Sequence, residues 1–283
     1  MHDIKISVAM ATYNGEKYIY QQLESILNQS MAVDEIIVVD DNSSDKTIEI
    51  IEKLNCSRIH IYKNEENLGY IKNFYKAISL TQGKYVFLAD QDDIWEKEKV
   101  KLTFAELQNS AKNMVICTNF SLIDQNGSPI TDIEHYQVNG FILQRHKEIE
   151  TLTLSRLAFG NVVQGCTYCV KRDVIDAYLK IHNTEVIHDY QLMLIAAAMG
   201  RVEYLNKPLI RYRLHGNNAV GFERKKHRLE IPEKRPSKEP YMARFFRQMN
   251  KIINVPNINY YVILYYLRIP YLISIVKNII TGG

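Results

Sequence analysis

The sequence predicts an α/β protein built on a mostly parallel sheet, and three observations carry that prediction. Short apolar runs at residues 4–11, 33–39, 59–62, 85–89 and 114–120 are separated by segments of helical periodicity, the rhythm of repeated βαβ units. The runs are continuous rather than alternating, as expected of strands buried on both faces. Polar or acidic residues follow several of them, and open α/β sheets bind ligands outside the carboxyl ends of their strands.

Residues 4–11 form the first strand, and Thr12-Tyr13-Asn14-Gly15 the turn after it, with Asn-Gly suited to a positive φ. Tyr18, Ile19, Leu23, Ile26 and Leu27 then recur at helical spacing across residues 16–29. The second strand, 33–39, runs into Asp40-Asp41-Asn42-Ser43-Ser44-Asp45, which offers several N-caps to a helix over 46–54. A short third strand at 59–62 leads through the polar turn 64–69 to a helix over 70–80, and the strand 85–89 follows Gly83. A helix over 96–108 and a strand at 114–120 complete the repeated pattern. Residues 128–155 lack clear periodicity. Beyond them, 171–180 and 188–199 read as helices, the second stopped by Gly200, and 201–205 and 209–214 as two strands separated by Asn206-Lys207-Pro208.

With 283 residues, 46% hydrophobic and 24% charged, the chain can fill one large domain or a domain with an appendage. The short apolar run near the N-terminus has no small-residue cleavage site, so no secretory leader is expected. Cys56, Cys117, Cys166 and Cys169 lie in apolar or strand-like surroundings and read as reduced thiols; a lone Cys-x-x-Cys does not argue for zinc. Neither the dinucleotide glycine fingerprint nor the Walker lysine loop is present, which removes support for nicotinamide redox chemistry and P-loop phosphate binding. The net charge of +3 hides a split: residues 222–283 hold 12 basic and 4 acidic side chains, leaving residues 1–221 at −5. A basic tail faces nucleic acid or an anionic membrane surface. Arg268 and Pro270 interrupt its apolar stretch at 258–280, so a membrane-spanning helix is not expected, and interfacial helices or helices packed on the main domain are.

Asp90-Gln91-Asp92-Asp93 puts three carboxylates in four residues at the end of a buried strand. Two readings are open. The acids cap the next helix, or they surround a cation that relieves their repulsion and holds a phosphate.

The segments Val8-Ala9-Met10-Ala11-Thr12-Tyr13-Asn14-Gly15, Val39-Asp40-Asp41-Asn42-Ser43-Ser44-Asp45, Asn67-Leu68-Gly69, Leu88-Ala89-Asp90-Gln91-Asp92-Asp93-Ile94-Trp95 and Tyr212-Arg213-Leu214-His215-Gly216-Asn217-Asn218 resemble, as a set, the family 2 glycosyltransferases. Within that family they look most like bacterial rhamnosyltransferases. The resemblance covers about residues 4–221 and implies a GT-A fold: a nucleotide-sugar half at about 1–120, an acceptor half at about 121–221, and 222–283 as a helical tail. It implies an inverting transfer from a nucleoside-diphosphate sugar, dTDP- or UDP-linked, with Mn²⁺ or Mg²⁺. Thr12, Tyr13, Asn14, Glu16 and Asp41 then hold the pyrimidine and ribose. Asp92 is the metal ligand, Asp90 faces the ribose or the metal, and His215 completes the metal site or meets the diphosphate. Asp189 becomes the base; the family has Glu-Asp where this chain has His188-Asp189. Trp95, Gly160, Asn161, Gly165, His188 and Arg213 are candidates for the acceptor or donor-sugar pocket. A glycan or lipid-linked acceptor, no nucleic acid, and a cytoplasmic location peripheral to the inner membrane face are the matching expectations. Two other classes are weighed against this one. A nucleotidyltransferase would carry a basic glycine-rich loop after the first strand, and a non-catalytic nucleotide-sugar binder would lack a working base.

Overall fold

The computed structural model describes residues 6–131, 136–137, 147–158, 160–216, 223–224 and 241–267. The expected start of the first strand before Ile6, the proline-containing basic stretch 225–240, Asn217 and Asn218, and the tail beyond 267 lie outside the described residues.

The elements run β1 (Ile6–Thr12), α1 (Ile19–Leu27), β2 (Glu35–Asp40), α2 (Thr47–Lys53), β3 (Ile59–Lys63), α3 (Tyr70–Leu80), β4 (Tyr85–Ala89), β5 (Ile94–Trp95), α4 (Lys99–Gln108), β6 (Asn113–Ile123), β7 (Pro129–Ile130), β8 (Tyr136–Gln137), β9 (Ile149–Thr151), α5 (Leu154–Ala158), β10 (Cys169–Lys171), α6 (Arg172–Ile181), α7 (His188–Met199), β11 (Arg201–Arg213), β12 (Glu223–Arg224), α8 (Tyr241–Ile253) and α9 (Ile258–Leu267). The main sheet has the order β3-β2-β1-β4-β10-β6-β11-β5, with β7 on β6 and β9 on β11. Strands β3, β2, β1 and β4 are mutually parallel, while β10 runs antiparallel between β4 and β6.

Burial on both faces explains the continuous apolar runs. On one face Val8, Met10, Val38 and Phe87 pack with Ile19, Leu23, Ile26 and Val100. On the other, Ala9, Val39, Leu88 and Val115 pack with Ala77, Tyr178, Leu192 and Phe245. Residues 201–213, expected as two strands, are one: Pro208 lacks the N–H that continues a ladder, and the chain passes it as an irregularity, shifting register against β6 between Leu205 and Pro208 and again before Arg211. The basic tail's described helices pack on the body. Met242, Phe245, Phe246 and Met249 of α8 and Leu264 of α9 join the same core as α6 and α7. Among the described residues no helix is long and apolar enough to cross a membrane.

Candidate active site

Register sets the first half of the site. Thr12 pairs with Asp40 and Met10 with Ala89, so the ends of β1, β2 and β4 lie side by side and deliver Thr12, Asp41 and Asp90 to one rim. There they line a cleft of about 390 Å³, a size suited to a small-molecule ligand. Asp41 is buried, and its carboxylate accepts from Asn64 Nδ2 (2.7 Å), the Leu68 N–H (2.8 Å) and the Gly69 N–H (2.9 Å). Gly69 turns at φ +80°, which only a residue without Cβ adopts freely, and this brings two successive N–H groups onto one acid. Asn67 caps the same turn, accepting from the Gly69 N–H at 3.1 Å. A carboxylate has about four acceptor positions, so Asp41 keeps one for a ligand.

The turn after β1 is held by partners from two other loops. Asn14 adopts φ +48°; its N–H donates to Ser43 Oγ (2.9 Å) and its Oδ1 accepts from the Ser44 N–H (3.0 Å). Glu16 faces the start of α2, where its Oε2 accepts from the Lys46 N–H at 3.0 Å. Asn14 and Glu16 therefore latch the β1 and β2 loops together outside the cleft lining, whereas Thr12 and Tyr13 line it. Gln91, between the acids, grips the main chain of Tyr13 at both ends, its Oε1 accepting from the N–H (2.8 Å) and its Nε2 donating to the carbonyl (3.0 Å).

The acidic loop is fixed from below and from the side. Gln22 Nε2 donates to the Asp90 carbonyl (2.8 Å), Arg213 Nε to the Asp92 carbonyl (2.7 Å), and the Arg213 N–H to Asp93 Oδ1 (3.0 Å). Antiparallel pairing of β5 with β11, Ile94 opposite Arg211, makes this possible and also carries His215 to Asp92, where Nε2 and Oδ2 are 2.7 Å apart. Burial, then the charges of Asp92 and Asp189, push the Asp90 carboxyl up to about 7. Burial and the same loop's acids push Asp93 well above the usual carboxylate range, and among the described residues its Oδ2 has no hydrogen-bond partner.

Unrelieved negative charge of this kind is what a divalent cation would neutralise, so the residues fit one. The tightest group of possible ligand atoms among the described residues is Asp90, Asp93 and Cys166, within 4.8 Å of one another, rather than Asp90, Asp92 and His215. Cys166 is a poor partner for a hard cation. Its thiol is pushed up by burial, and the Lys99 ammonium lies 3.3 Å from its carbonyl. Asp90 and Asp92 line the cleft.

The lining continues with α7 and the 3₁₀ turn Gly165–Thr167, whose Cys166 lies beside Asp90 and Asp93. Asp189 is 5% exposed; its Oδ2 accepts from Asn161 Nδ2 (3.0 Å) and its Oδ1 from the Tyr190 N–H (2.6 Å). Burial nevertheless pushes its carboxyl up to about 6. His188 beside it stacks on Phe74, ring centroids 4.0 Å apart and planes 21° apart, and burial takes the imidazole down to about 3, so the ring is neutral at pH 7.

Of the expected pocket residues, His188 and Gly165 line the cleft, and Asn161 reaches it only through Asp189. Gly160 sits at the end of α5, where its N–H donates to the Leu157 carbonyl. Trp95 is 2% exposed and packs against Phe87. Arg213 is 1% exposed, held by the acidic loop, by Gln21 (2.8 Å) and over the Tyr18 ring (4.6 Å). Trp95 and Arg213 thus support the loop from behind instead of facing the cleft.

Several residues had no signal in the sequence. Asn64 and Asn73 bond each other (2.9 Å), and Asn73 also donates to the Val39 carbonyl (2.9 Å). Phe74 reads as an ordinary helix core position. Lys99, fully buried, is taken by burial down to about 8 and lies over the Trp95 ring at 4.8 Å.

Known proteins are similar to this chain. The sequence profile of glycosyl transferase family 2 matches residues 7–176. A dTDP-rhamnosyl transferase, RfbG of Shigella flexneri, is 32% identical over 75% of this chain and 73% of its own. A putative teichuronic acid biosynthesis glycosyltransferase, TuaG of Bacillus subtilis, is 32% identical over 75% of this chain and 80% of its own. Among solved structures, S. aureus TarS residues 1–349 in complex with UDP superposes with a TM-score of 0.62 at 20% identity, covering 92% of this chain and 69% of that one. The Asp41 pocket, the acidic loop at the end of β4 and the buried Asp189 thus belong to a member of glycosyl transferase family 2, with the GT-A fold of that family and a nucleotide-sugar donor.

Proposed function

We propose that the protein is a metal-dependent inverting glycosyltransferase that moves rhamnose from dTDP-rhamnose to a cell-surface polysaccharide or lipid-linked oligosaccharide acceptor. The observation that carries the catalytic part is Asp189. It is a buried acid with a carboxyl at about 6, held by Asn161 and the Tyr190 N–H, in the same cleft as Asp90 and Asp92. A base near neutrality is matched to taking a proton from a hydroxyl. The likeness to the Shigella dTDP-rhamnosyl transferase supports the choice of sugar.

In this proposal Asp41 accepts the ring N–H of the pyrimidine, and Thr12 and Tyr13 flank the base and ribose. Asp92, with Asp90 and His215, would hold Mn²⁺ or Mg²⁺, whose charge stabilises the departing diphosphate when bound. Asp189 takes the acceptor hydroxyl proton as that oxygen attacks the anomeric carbon from the face opposite the diphosphate. The attack forms the new glycosidic bond, breaks the bond to the diphosphate, and inverts the centre. Residues 1–221 perform transfer. In residues 222–283, α8 and α9 complete the core, and the exposed Tyr260 and Ile263, with the tail's basic charge, support peripheral docking at an anionic membrane face.

A UDP-hexose donor is the second reading. An Escherichia coli protein 28% identical over 65% of this chain and 76% of its own is named as a UDP-Glc-dependent glucosyltransferase, and TarS was solved with UDP-GlcNAc. Calorimetry with dTDP, UDP, GDP and their sugar conjugates, in Mn²⁺, Mg²⁺ or EDTA, separates the two. Metal-dependent preference for dTDP-rhamnose supports the first reading, preference for a UDP-hexose the second, and no binding by any pyrimidine diphosphate rejects both. Asp189→Asn should bind the donor and fail to transfer it. Full turnover by that variant would remove Asp189 as the base, whereas a wild type that binds the donor without transferring it would favour the non-catalytic alternative.

A further inference from the structure

Among the described residues, the His188 ring lines the cleft without a hydrogen bond to any protein group. Its Nδ1 is buried without a hydrogen-bond partner among those residues. The residue is 5% exposed and lines the cleft next to Asp189. Nδ1 stays enclosed, whereas Nε2 is not among the enclosed unpartnered atoms and is the ring nitrogen left for a ligand. A polar group without a partner carries a desolvation cost that such a contact removes. The ring is also prevented from turning away, because it lies flat on Phe74 at 4.0 Å.

Its chemistry narrows the ligand. Burial keeps the imidazole neutral, so it has one N–H and one lone pair and no charge to attract phosphate. A buried N–H without a partner is rarer than a buried bare acceptor, which assigns the proton to Nε2 and leaves Nδ1 as the lone pair. Nε2 is then a neutral donor on the wall beside Asp189. A hydroxyl oxygen suits such a donor, and the diphosphate is served by the acidic loop's side of the cleft.

We propose that the Phe74–His188 pair reads a hydroxyl of the transferring sugar, with Phe74 fixing the plane of the ring and His188 donating from Nε2. This rests on the reading of the cleft as a nucleotide-sugar site and goes beyond it, because it assigns sugar selection to a residue pair outside the acidic loop. A sugar lacking that hydroxyl leaves the donor unpaired and is bound less well, which makes His188 a specificity determinant.

The test compares what the sugar adds to binding. Affinities of the whole chain for dTDP and dTDP-rhamnose, and for UDP and UDP-glucose, are measured by calorimetry with wild type, His188→Phe, His188→Gln and Phe74→Leu. In the pair the wild type prefers, His188→Phe should bind the bare diphosphate within about twofold of wild type and lose about tenfold for the sugar conjugate. His188→Gln, which carries an amide N–H at similar reach, should recover part of that loss, and Phe74→Leu should show a smaller loss of the same kind. Equal weakening of diphosphate and conjugate in His188→Phe would make the residue merely structural and overturn the proposal, as would a conjugate affinity left unchanged. A wild type that binds none of the four nucleotides would instead reject the nucleotide-sugar site itself.

Discussion

Gly165 and Asp189 touch so closely that no side chain fits between them: a Cβ at position 165 would lie 2.9 Å from the Cβ of Asp189. That is closer than carbon atoms pack, and both residues sit in close-packed surroundings that do not yield freely. Gly165→Ala should therefore push Asp189 out of position while leaving Asp41 and the acidic loop alone. A displacement of about 1 Å costs about 100-fold in rate. Diphosphate release should fall by about that factor, with nucleotide affinity changed less than about threefold. Unchanged turnover would mean that α7 slides to absorb the methyl group and that the contact has no catalytic weight.

The acid limb of the pH profile belongs to Asp189 in the proposed mechanism. Its carboxyl must be charged to accept a proton, and burial holds it at about 6. Below that value kcat/KM should fall about tenfold per pH unit, and above it the profile should level. Stability has a separate pH signature through His188. The folded chain keeps its imidazole down to about 3 against an ordinary 6.5, so it binds fewer protons than the unfolded chain in that window. The stability associated with the neutral ring is present above 6.5 and is lost as the pH falls through the window. Melting temperatures of wild type and His188→Phe, followed from about pH 8 to 5, should shift in favour of the variant on acidification. A constant difference would show that the ring does not stay neutral.

Lys99 anchors the floor of the cleft. Its ammonium donates to the carbonyls of Cys166 (3.3 Å) and Thr167 (3.5 Å), in the same turn that presses on Asp189. Lys99→Met keeps the volume and gives up the donor, and should lower unfolding free energy by about 1–2 kcal/mol. Lys99→Ala also opens a cavity and should cost about 3–5 kcal/mol. Urea denaturation of the two variants reads the difference, and equal losses would assign the whole effect to the charge.

Docking of the tail is testable without removing it. A chain ending before α8 would uncover the core positions occupied by Phe245 and Phe246, so its behaviour would report misfolding rather than membrane affinity. Tyr260 and Ile263 are 51% and 56% exposed. Replacing both with Ser should move the melting temperature by no more than about 2 °C. Flotation with anionic liposomes should drop about tenfold or more, since burying each apolar side chain is worth about 1.5–3 kcal/mol. Undiminished flotation would sink the docking proposal for this face.

The sequence by itself determined the βαβ order, the strands buried on both faces and the acids at their ends, because these follow from local composition and short-range periodicity. The turn chemistry of Asn14 and the helix over 188–199 were legible for the same reason. Tertiary structure alone decided which polar residues share the cleft. Arg213 is a candidate for the acceptor or donor-sugar pocket in the sequence, yet the β5–β11 pairing turns it under Asp92 and Asp93, 121 residues away along the chain for its bond to Asp92. Trp95, also a candidate for the sugar pocket, reads more readily as packing, and the same pairing seals it against Phe87. Lys99 and Phe74 carried no signal, since a lysine opening a helix and a phenylalanine within one are ordinary in sequence. Their roles come from what the sheet order sets against them, and pairing between distant strands is a property that no local pattern encodes.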